Sequence, residues 1–333
     1  MKLAINGFGR IGRPALKIAL EKEIEIVAVN DLGDINNLAY LLKYDSAYGV
    51  YGAEIEVKKN DILKIGDNEI KVFSEKDPSK LPWGQLGVDV VLECTGVFKD
   101  RKGCKGHLDA GAKKVIISAP TKDKTIKTIV LGVNDDQIDS KDDILANASC
   151  TTNCLAPMIK VLDDKFGVEK SLMSTIHSYT STQLLVDGPG GKDYRRGRAA
   201  AQNIAPSTTG AAIATTLTIP SLQGKFDGMA FRVPSLVGSI SDLTAILRRD
   251  TTEEEINEAF KEAAENDLKG IMETTEEALV SRDIIGNPHS VIVQLDLTKV
   301  VGGNMVKVVG WYDNEWGYAN RLVELAERLA DLS

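Results

Sequence analysis

The sequence predicts a two-part α/β chain, with a doubly wound first half on a mainly parallel sheet and an α+β second half with a mainly antiparallel sheet. Three observations carry this. In the first half, short apolar runs alternate with helical patterns, as buried parallel strands joined by crossover helices require. In the second half, strand patterns follow one another and the helices are segregated. The length of 333 residues suits about two domains rather than one core.

The first strand is Lys2–Asn6, and it leads into Gly7, Gly9 and Gly12, a G-x-G-x-x-G pattern. Residues 14–20 continue with helical spacing, and Pro14 is tolerated in a first turn, where its missing N–H would be unpaired anyway. A second strand, residues 24–29, ends at Asn30-Asp31. Asp31 stands 19 residues after Gly12, near the spacing of about 20 at which an acid meets the ribose hydroxyls of a dinucleotide. Gly7 then permits a tight turn, Gly9 lets the backbone approach a pyrophosphate, and Gly12 packs helix on strand. Together these predict a Rossmann-type nucleotide-binding domain.

Residues 61–73 read as a more exposed strand pair turning at Gly66-Asp67-Asn68. Residues 88–92 and 115–117 read as buried strands, 99–113 as a helix and 129–133 as a further strand. This domain is expected to span residues 1–149. From residue 150 to 313 a catalytic α+β domain is expected, with strands at 172–177, 228–233, 239–247, 290–297 and 305–310. Its helices fall at 211–217 and 253–266, the latter opened by hydroxyl caps and acids, Thr251-Thr252-Glu253-Glu254-Glu255. Residues 320–332 form an amphipathic helix with Leu322, Leu325, Ala326 and Leu329 on one face. Residues 184–198 are polar, glycine-rich and long for a loop, a texture that goes with function or disorder.

Composition bounds the function. With 43% hydrophobic and 26% charged residues the chain is an ordinary globular one. No apolar run approaches a membrane span, and no secretory or transit signal is read at the start. A net charge of −8 argues against a dedicated nucleic-acid site. Four cysteines are too few for a disulfide framework, which favours a reducing, cytoplasmic setting, and no His or Cys pair has metal-ligand spacing, so no metal is expected.

Ser149-Cys150-Thr151-Thr152-Asn153-Cys154 places Cys150 just before an apolar helical run. Free backbone N–H groups at a helix start favour a thiolate, and His177, 27 residues on at the end of an apolar strand, supplies a base. Cys154, one turn further, reads as core; Cys94 and Cys104 have no evident partner. His107 and His289 read as structural or exposed.

Seven ordered segments extend the match along the whole chain. They are the glycine motif Ile5 to Arg13, Cys94-Thr95-Gly96, Ser118-Ala119-Pro120, the Cys150 segment, His177-Ser178-Tyr179-Thr180, Thr208-Thr209-Gly210 and Trp311-Tyr312-Asp313-Asn314-Glu315-Trp316-Gly317-Tyr318. In them the chain resembles the phosphorylating glyceraldehyde-3-phosphate dehydrogenase family. The resemblance implies oxidation of D-glyceraldehyde 3-phosphate to 1,3-bisphosphoglycerate with NAD and inorganic phosphate. Cys150 would form a thioester and His177 would act as base. It implies NAD contacts from Gly7, Gly9, Arg10, Ile11, Gly12, Asp31, Lys76, Thr95, Ser118 and Asn314. Thr180 and Arg232 would hold the substrate phosphate; Ser149, Thr151, Arg196, Thr209 and Gly210 would hold the attacking phosphate. It further implies a homotetramer, a C-terminal segment (residues 314–333) returning to the first domain, and a role for the 184–198 loop at the subunit centre.

Some points stay open at the sequence level. Arg195 and Arg198 compete with Arg196 for the phosphate. Lys76 stands where many relatives carry arginine. Asp31 disfavours the extra phosphate of NADP, although a rotated side chain would admit both cofactors. An erythrose-4-phosphate dehydrogenase shares the chemistry, and a non-catalytic binding role shares the fold. The retained Cys150, His177 and Asn314 favour catalysis.

Overall fold

A computed structural model describes residues 1–191 and 193–332. Lys192 of the long loop and Ser333, the last residue of the expected C-terminal segment, lie outside the described residues. The chain forms two compact units. One comprises Met1–Ile129, Asp136–Ala148 and the chain from Ala319 onward; the other comprises Val130–Asp135 and Ser149–Tyr318.

The first unit is built on a nine-stranded sheet. Its strands are β1 (Lys2–Asn6), β2 (Glu25–Asn30), β3 (Ile55–Lys58), β4 (Ile62–Ile65), β5 (Asn68–Phe73), β6 (Val90–Glu93), β7 (Lys114–Ile117), β8 (Lys127–Thr128) and β9 (Ile144–Ala146), in the spatial order β8-β9-β7-β6-β1-β2-β5-β4-β3. From β8 to β5 all pairings are parallel; β5, β4 and β3 continue as an antiparallel meander. The order reverses direction from β1, one side running through β2 and the other through β6. In such sheets ligands bind at the carboxyl ends of the strands beside that switch point. Central strands are apolar on both faces because helices cover them, and β6 and β7 are buried throughout. Helices α1 (Gly12–Glu21), α2 (Ile35–Lys43) and α3 (Arg101–Asp109) belong to this unit. Asp34 caps α2 and Asp100 caps α3, each accepting first-turn backbone N–H groups.

Residues 129–133 are not a strand. Gly132 takes a φ of 77°, Val130 N–H donates to Asn134 Oδ1, and Gly132 N–H donates to Asp135 Oδ1. This apolar run is a buried turn. The sheet is extended instead by the short β8 before it and by β9 after it.

The second unit carries an eight-stranded sheet. Its strands are β10 (Val168–Ser178), β11 (Ala205–Thr208), β12 (Phe226–Val233), β13 (Ser239–Leu247), β14 (Met272–Thr275), β15 (Val291–Gln294), β16 (Lys299–Val301) and β17 (Met305–Tyr312). The order is β11-β12-β10-β13-β17-β15-β14, with β16 against β17. Only β10–β12 and β14–β15 are parallel. Helix α4 (Cys150–Phe166) lays Leu155, Met158, Ile159 and Leu162 into the core over this sheet, each side chain contributing roughly 1.5–3 kcal/mol by burial. Helices α5 (Ala211–Thr218) and α6 (Glu253–Glu265) complete the layer. The last helix, α7 (Trp316–Ala330), buries Leu322, Leu325, Ala326 and Leu329 completely. No helix among the described residues is long and apolar enough to cross a membrane.

Candidate active site

Cys150 is the first residue of α4. Ser149 caps the helix, its Oγ accepting from Thr152 N–H at 3.1 Å and lying 2.8 Å from Thr152 Oγ1. Just before the cap, buried Ala148 holds a left-handed φ of 53°, a conformation that costs a residue with a Cβ about 1–2 kcal/mol. The helix therefore starts abruptly, with Cys150 in its first turn.

His177 lies near the end of β10, and the parallel register pairs it with Arg232 on β12. Its Nε2 stands 3.4 Å from Cys150 Sγ. Its Nδ1 is 2.7 Å from the Ser178 carbonyl oxygen and 2.6 Å from Arg232 Nη1, which also donates to that carbonyl at 2.9 Å. Burial pushes the Cys150 thiol up from its ordinary value, opposed by Arg232 and the Thr151 hydroxyl. Burial, then the Arg232 charge, pushes His177 down to about 3. Both shifts penalise net charge in the pocket. A proton moving from Sγ to Nε2 adds none, and the helix start and Arg232 stabilise the thiolate it leaves.

The other thiols lack such a partner. Burial pushes Cys94 and Cys104 up to about 12 and Cys154 higher still. Cys154 is fully buried and near the Gly310 carbonyl. All four cysteines are unpaired.

Residues expected to hold phosphates divide into two groups. Arg196 Nη1 reaches Thr182 Oγ1 at 3.4 Å, and that hydroxyl is 2.9 Å from Thr180 Oγ1. Burial foremost, with the like charge of Arg196, lowers Arg232 from its usual value. Thr180, Arg196 and Arg232 thus share one cationic neighbourhood that an anion would relieve. Arg198 is instead paired with Asp187 at 2.9 Å. Arg196 also contacts Asp193 at 3.4 Å, and Arg195 is fixed there through its backbone N–H. In the second group, Thr209 Oγ1 accepts from the N–H of Ala211, the first residue of α5, and Gly210 between them is the N-cap. The Thr151 hydroxyl turns to Tyr312 Oη at 3.0 Å.

Asn314 follows β17. Its Oδ1 accepts from Gly238 N–H at 3.1 Å and Ser239 Oγ at 2.9 Å, which fixes the amide orientation and directs Nδ2 elsewhere. Ser239 Oγ also accepts from Ser178 N–H, tying Asn314 to the chain beside His177.

The residues expected to hold the dinucleotide, Asn314 apart, lie in the first unit. Gly7 has a φ of 94°, and a Cβ there would lie 2.6 Å from Thr95 N; at Gly12 one would strike the Gly7 carbonyl oxygen. A Cβ on Gly9 would meet nothing, so that face of the loop is open. Ile11 gives α1 no side-chain cap, and in its first turn Arg13 N–H turns back to the Gly9 carbonyl at 3.2 Å. A cavity of about 370 Å³ is lined by Gly7, Gly9, Asp31, Leu32, Lys76 and Thr95. Asp31 Oδ2 accepts from Phe8 N–H and Oδ1 from Gly33 N–H, at 2.7 and 2.8 Å. Ser118 N–H donates to the Glu93 carbonyl, placing it at the end of β7. The Arg10 guanidinium pairs with Asp45 at 2.5 Å and lies over Tyr48, and its backbone belongs to the glycine loop. Open loop, uncapped helix and anchored acid fit NAD.

Two groups escaped the sequence reading. Tyr312 lies edge-on to His177, with its hydroxyl in hydrogen-bond contact with both Thr151 and Thr175. Asn6, Asn30 and Glu93 each end an apolar strand with a buried polar side chain, the one signal that could have singled them out. His107 is fully buried, not exposed. Among the described residues no three His, Cys, Asp or Glu side chains group as a metal site.

Comparison with known proteins settles the family. Residues 1–101 match the model of the glyceraldehyde 3-phosphate dehydrogenase NAD binding domain, and residues 149–314 match that of its C-terminal domain. The chain belongs to the glyceraldehyde-3-phosphate dehydrogenase family. It is 54% identical to the glyceraldehyde-3-phosphate dehydrogenase of Streptomyces coelicolor, over 98% of this chain and 97% of that protein. It is 53% identical to glyceraldehyde-3-phosphate dehydrogenase 1 of Bacillus subtilis, over 99% of this chain and 98% of that one. Membership makes this an NAD-dependent oxidoreductase. The glyceraldehyde-3-phosphate dehydrogenase C-terminal model covers Cys150, His177, Arg232 and Asn314, and the NAD-binding model covers the glycine loop and Asp31.

Proposed function

We propose that this chain catalyses the phosphorylating oxidation of D-glyceraldehyde 3-phosphate to 1,3-bisphosphoglycerate, with Cys150 as nucleophile and His177 as base. The observation that carries the reading is the 3.4 Å approach of His177 Nε2 to Cys150 Sγ at a helix start. The thiol proton passes to Nε2 as Sγ bonds to the aldehyde carbon, and the carbonyl electrons move to oxygen. The oxyanion is stabilised by the Cys150 backbone N–H and by His177, which returns the proton to give a hemithioacetal. NAD, when bound, supplies the hydride acceptor. As the carbon loses hydride, His177 takes the hydroxyl proton, and the carbon stays bonded to sulfur as a thioester. A phosphate oxygen then attacks, the C–S bond breaks, and Sγ recovers its proton.

To accept through Nε2, His177 must carry its proton on Nδ1, pointing at the Ser178 carbonyl. Arg232 competes for Nδ1 in the ligand-free arrangement, and a substrate phosphate that draws the guanidinium away favours the basic tautomer. Thr180 and Arg232 suit that phosphate, and Arg196, expected with the attacking phosphate, joins them through the Thr182 hydroxyl that also meets Thr180. Ser149, Thr209 and Gly210 suit the attacking one, with Thr151 behind them. Asn314 Nδ2 suits the nicotinamide carboxamide. The two backbone donors on Asp31 oppose rotation of its carboxylate, which supports NAD over dual use. The domain roles proposed are NAD binding for residues 1–149 with 314–333, and catalysis for 150–313.

A cytoplasmic homotetramer is part of the proposal. Four unpaired thiols suit a reducing compartment. Leu172, Ile213, Met229 and Met305 are exposed on the second unit, and three of them line a cavity of about 770 Å³, the apolar texture of a subunit interface. A sedimentation mass of four times the 36.0 kDa chain is expected. The activity test is NADH formation from glyceraldehyde 3-phosphate with and without phosphate, beside erythrose 4-phosphate. Phosphate-dependent turnover of the first supports the reading. Preference for the second, or no turnover by folded protein, overturns it.

A further inference from the structure

Three parallel strands of the first sheet end on buried polar side chains in register. Asn6 on β1 is paired with Asn30 on β2 and with Glu93 on β6. In-register residues of parallel strands project from the same face, so their side chains form a row under the carboxyl ends of the strands. Asn30 Nδ2 donates to Asn6 Oδ1 at 2.7 Å, and Asn6 Nδ2 donates to Glu93 Oε2 at 2.6 Å. From the other side Trp83 Nε1–H donates to His107 Nδ1 at 3.0 Å. An indole is only a donor, so Nδ1 is the acceptor and the ring proton sits on Nε2. Nε2–H then donates to Glu93 Oε2 at 3.0 Å. Trp83 and His107 are wholly buried, and Glu93 is 1% exposed. Phe98 stands edge-on to the imidazole and Phe73 edge-on to the indole.

This row ends on the loops that line the cofactor cavity. The other Glu93 oxygen, Oε1, accepts from Thr95 N–H at 2.8 Å and from the Thr95 hydroxyl. Asn30 clamps the backbone of Glu75, accepting from its N–H and donating to its carbonyl, both at 2.9 Å, next to Lys76. Asn6 leads directly into Gly7. Glu75, Lys76, Asn6, Gly7 and Thr95 all line the cavity. A single buried carboxyl group therefore collects donors from Asn6 at a strand end and Thr95 in a cavity loop, with the Glu75–Lys76 loop tied in through Asn30 and Asn6, and its remaining donor is an imidazole whose tautomer is set by an indole.

We propose that His107 and Glu93, backed by Trp83, are positioning residues for the dinucleotide: they hold the Thr95 and Glu75–Lys76 loops in the geometry that receives it. The proposal rests on the reading of the first unit as the NAD site. Losing the His107 donor leaves a buried carboxyl oxygen short of a partner, and the loops it gathers relax before they loosen the rest of the sheet. Losing the Trp83 N–H frees His107 to adopt the other tautomer, which turns a lone pair toward Glu93.

The test uses the full-length enzyme with His107→Phe, His107→Gln and Trp83→Phe. NAD binding is measured by calorimetry, beside KM for NAD, KM for the aldehyde, the Cys150 alkylation rate and Tm. His107→Phe is expected to weaken NAD binding about tenfold, or roughly 1.4 kcal/mol. The aldehyde KM and the alkylation rate stay at wild-type values. His107→Gln, which restores a donor to Glu93, returns to within about threefold, and Trp83→Phe falls between. Unchanged NAD affinity in His107→Phe and Trp83→Phe, whichever of them folds, with Tm alone lowered, makes the network purely structural and overturns the proposal. If wild-type protein binds no NAD, the underlying reading of the first unit fails instead.

Discussion

Among the described residues His177 is the base that stands against Cys150 Sγ, and His177→Asn removes it from across the 3.4 Å gap seen in the structure. A positioned general base is worth about 10²–10⁴-fold, or roughly 3–5 kcal/mol of barrier. The same number follows from the thiol. Near neutral pH a thiol at its ordinary value of 9.0 is about 1% ionised, and burial pushes Cys150 above that value. Without the imidazole the thiol has no acceptor for its proton as Sγ attacks, and reaction is left to that small ionised fraction. Two assays read the effect: steady-state NADH formation, and alkylation of Cys150 by iodoacetamide across pH. In the variant, turnover drops about 10²-fold or more, and alkylation climbs about tenfold per pH unit through the neutral range with no plateau. Wild-type turnover and an unshifted alkylation profile in folded His177→Asn would refute the base assignment.

Other perturbations have equally definite outcomes. Arg232→Leu removes a guanidinium from the proposed substrate-phosphate site, so kcat/KM for glyceraldehyde 3-phosphate falls about 10–100-fold further than that for unphosphorylated glyceraldehyde, which loses only the support Arg232 gives the thiolate; equal losses for both aldehydes would count against phosphate recognition. Asp31→Ser removes the carboxylate held by Phe8 and Gly33 N–H groups, and the NAD-over-NADP preference drops about tenfold or more in cofactor titrations; an unchanged ratio would place the discrimination elsewhere. Arg101 clamps Asp143 through two bonds of 2.8 and 2.9 Å and holds its carboxyl below the usual 3.8. Because the folded value is depressed, the pair stabilises above that pH and its contribution disappears as pH falls through the folded value. Asp143→Asn, at a partly exposed site, therefore costs about 0.5–1 kcal/mol near neutrality in urea melts and nothing under strong acid; a cost that grows with acid reverses the sign and defeats the argument.

The parts of this fold that could be read from residues are those whose pattern is local. Buried parallel strands such as β6 and β7 appear as apolar runs because both faces are covered, and α6 announces itself through Thr252 and its acidic first turn. Strands that are short or lie at an edge left no such trace. β8 has two residues, β3 is half-exposed, and β11 contains Pro206 at the sheet edge. Residues 129–133 misled for the converse reason: the run is apolar because the turn is buried, and the backbone groups are satisfied by Asn134 and Asp135 rather than by a ladder.

The site divides in the same way. Cys150 and His177 were visible because a helix start and a strand end mark their surroundings. The partners that hold them were not. Tyr312 reaches Thr151 across 161 positions of sequence, and His107 finds Glu93 across 14 and Trp83 across 24. Such contacts depend on strand register, which no local pattern specifies. The side-chain state of Arg10 was likewise set by Asp45, a residue 35 positions away.

The central claim is that oxidation leaves an acyl group on Cys150 until phosphate removes it. Enzyme, NAD and glyceraldehyde 3-phosphate are mixed without phosphate, quenched in acid, and the peptide that carries Cys150 is weighed by mass spectrometry. The account predicts a burst of one NADH per active site, an acyl group on that peptide, and its loss on adding phosphate. A burst that leaves Cys150 unmodified, or the same burst from Cys150→Ser, would contradict it.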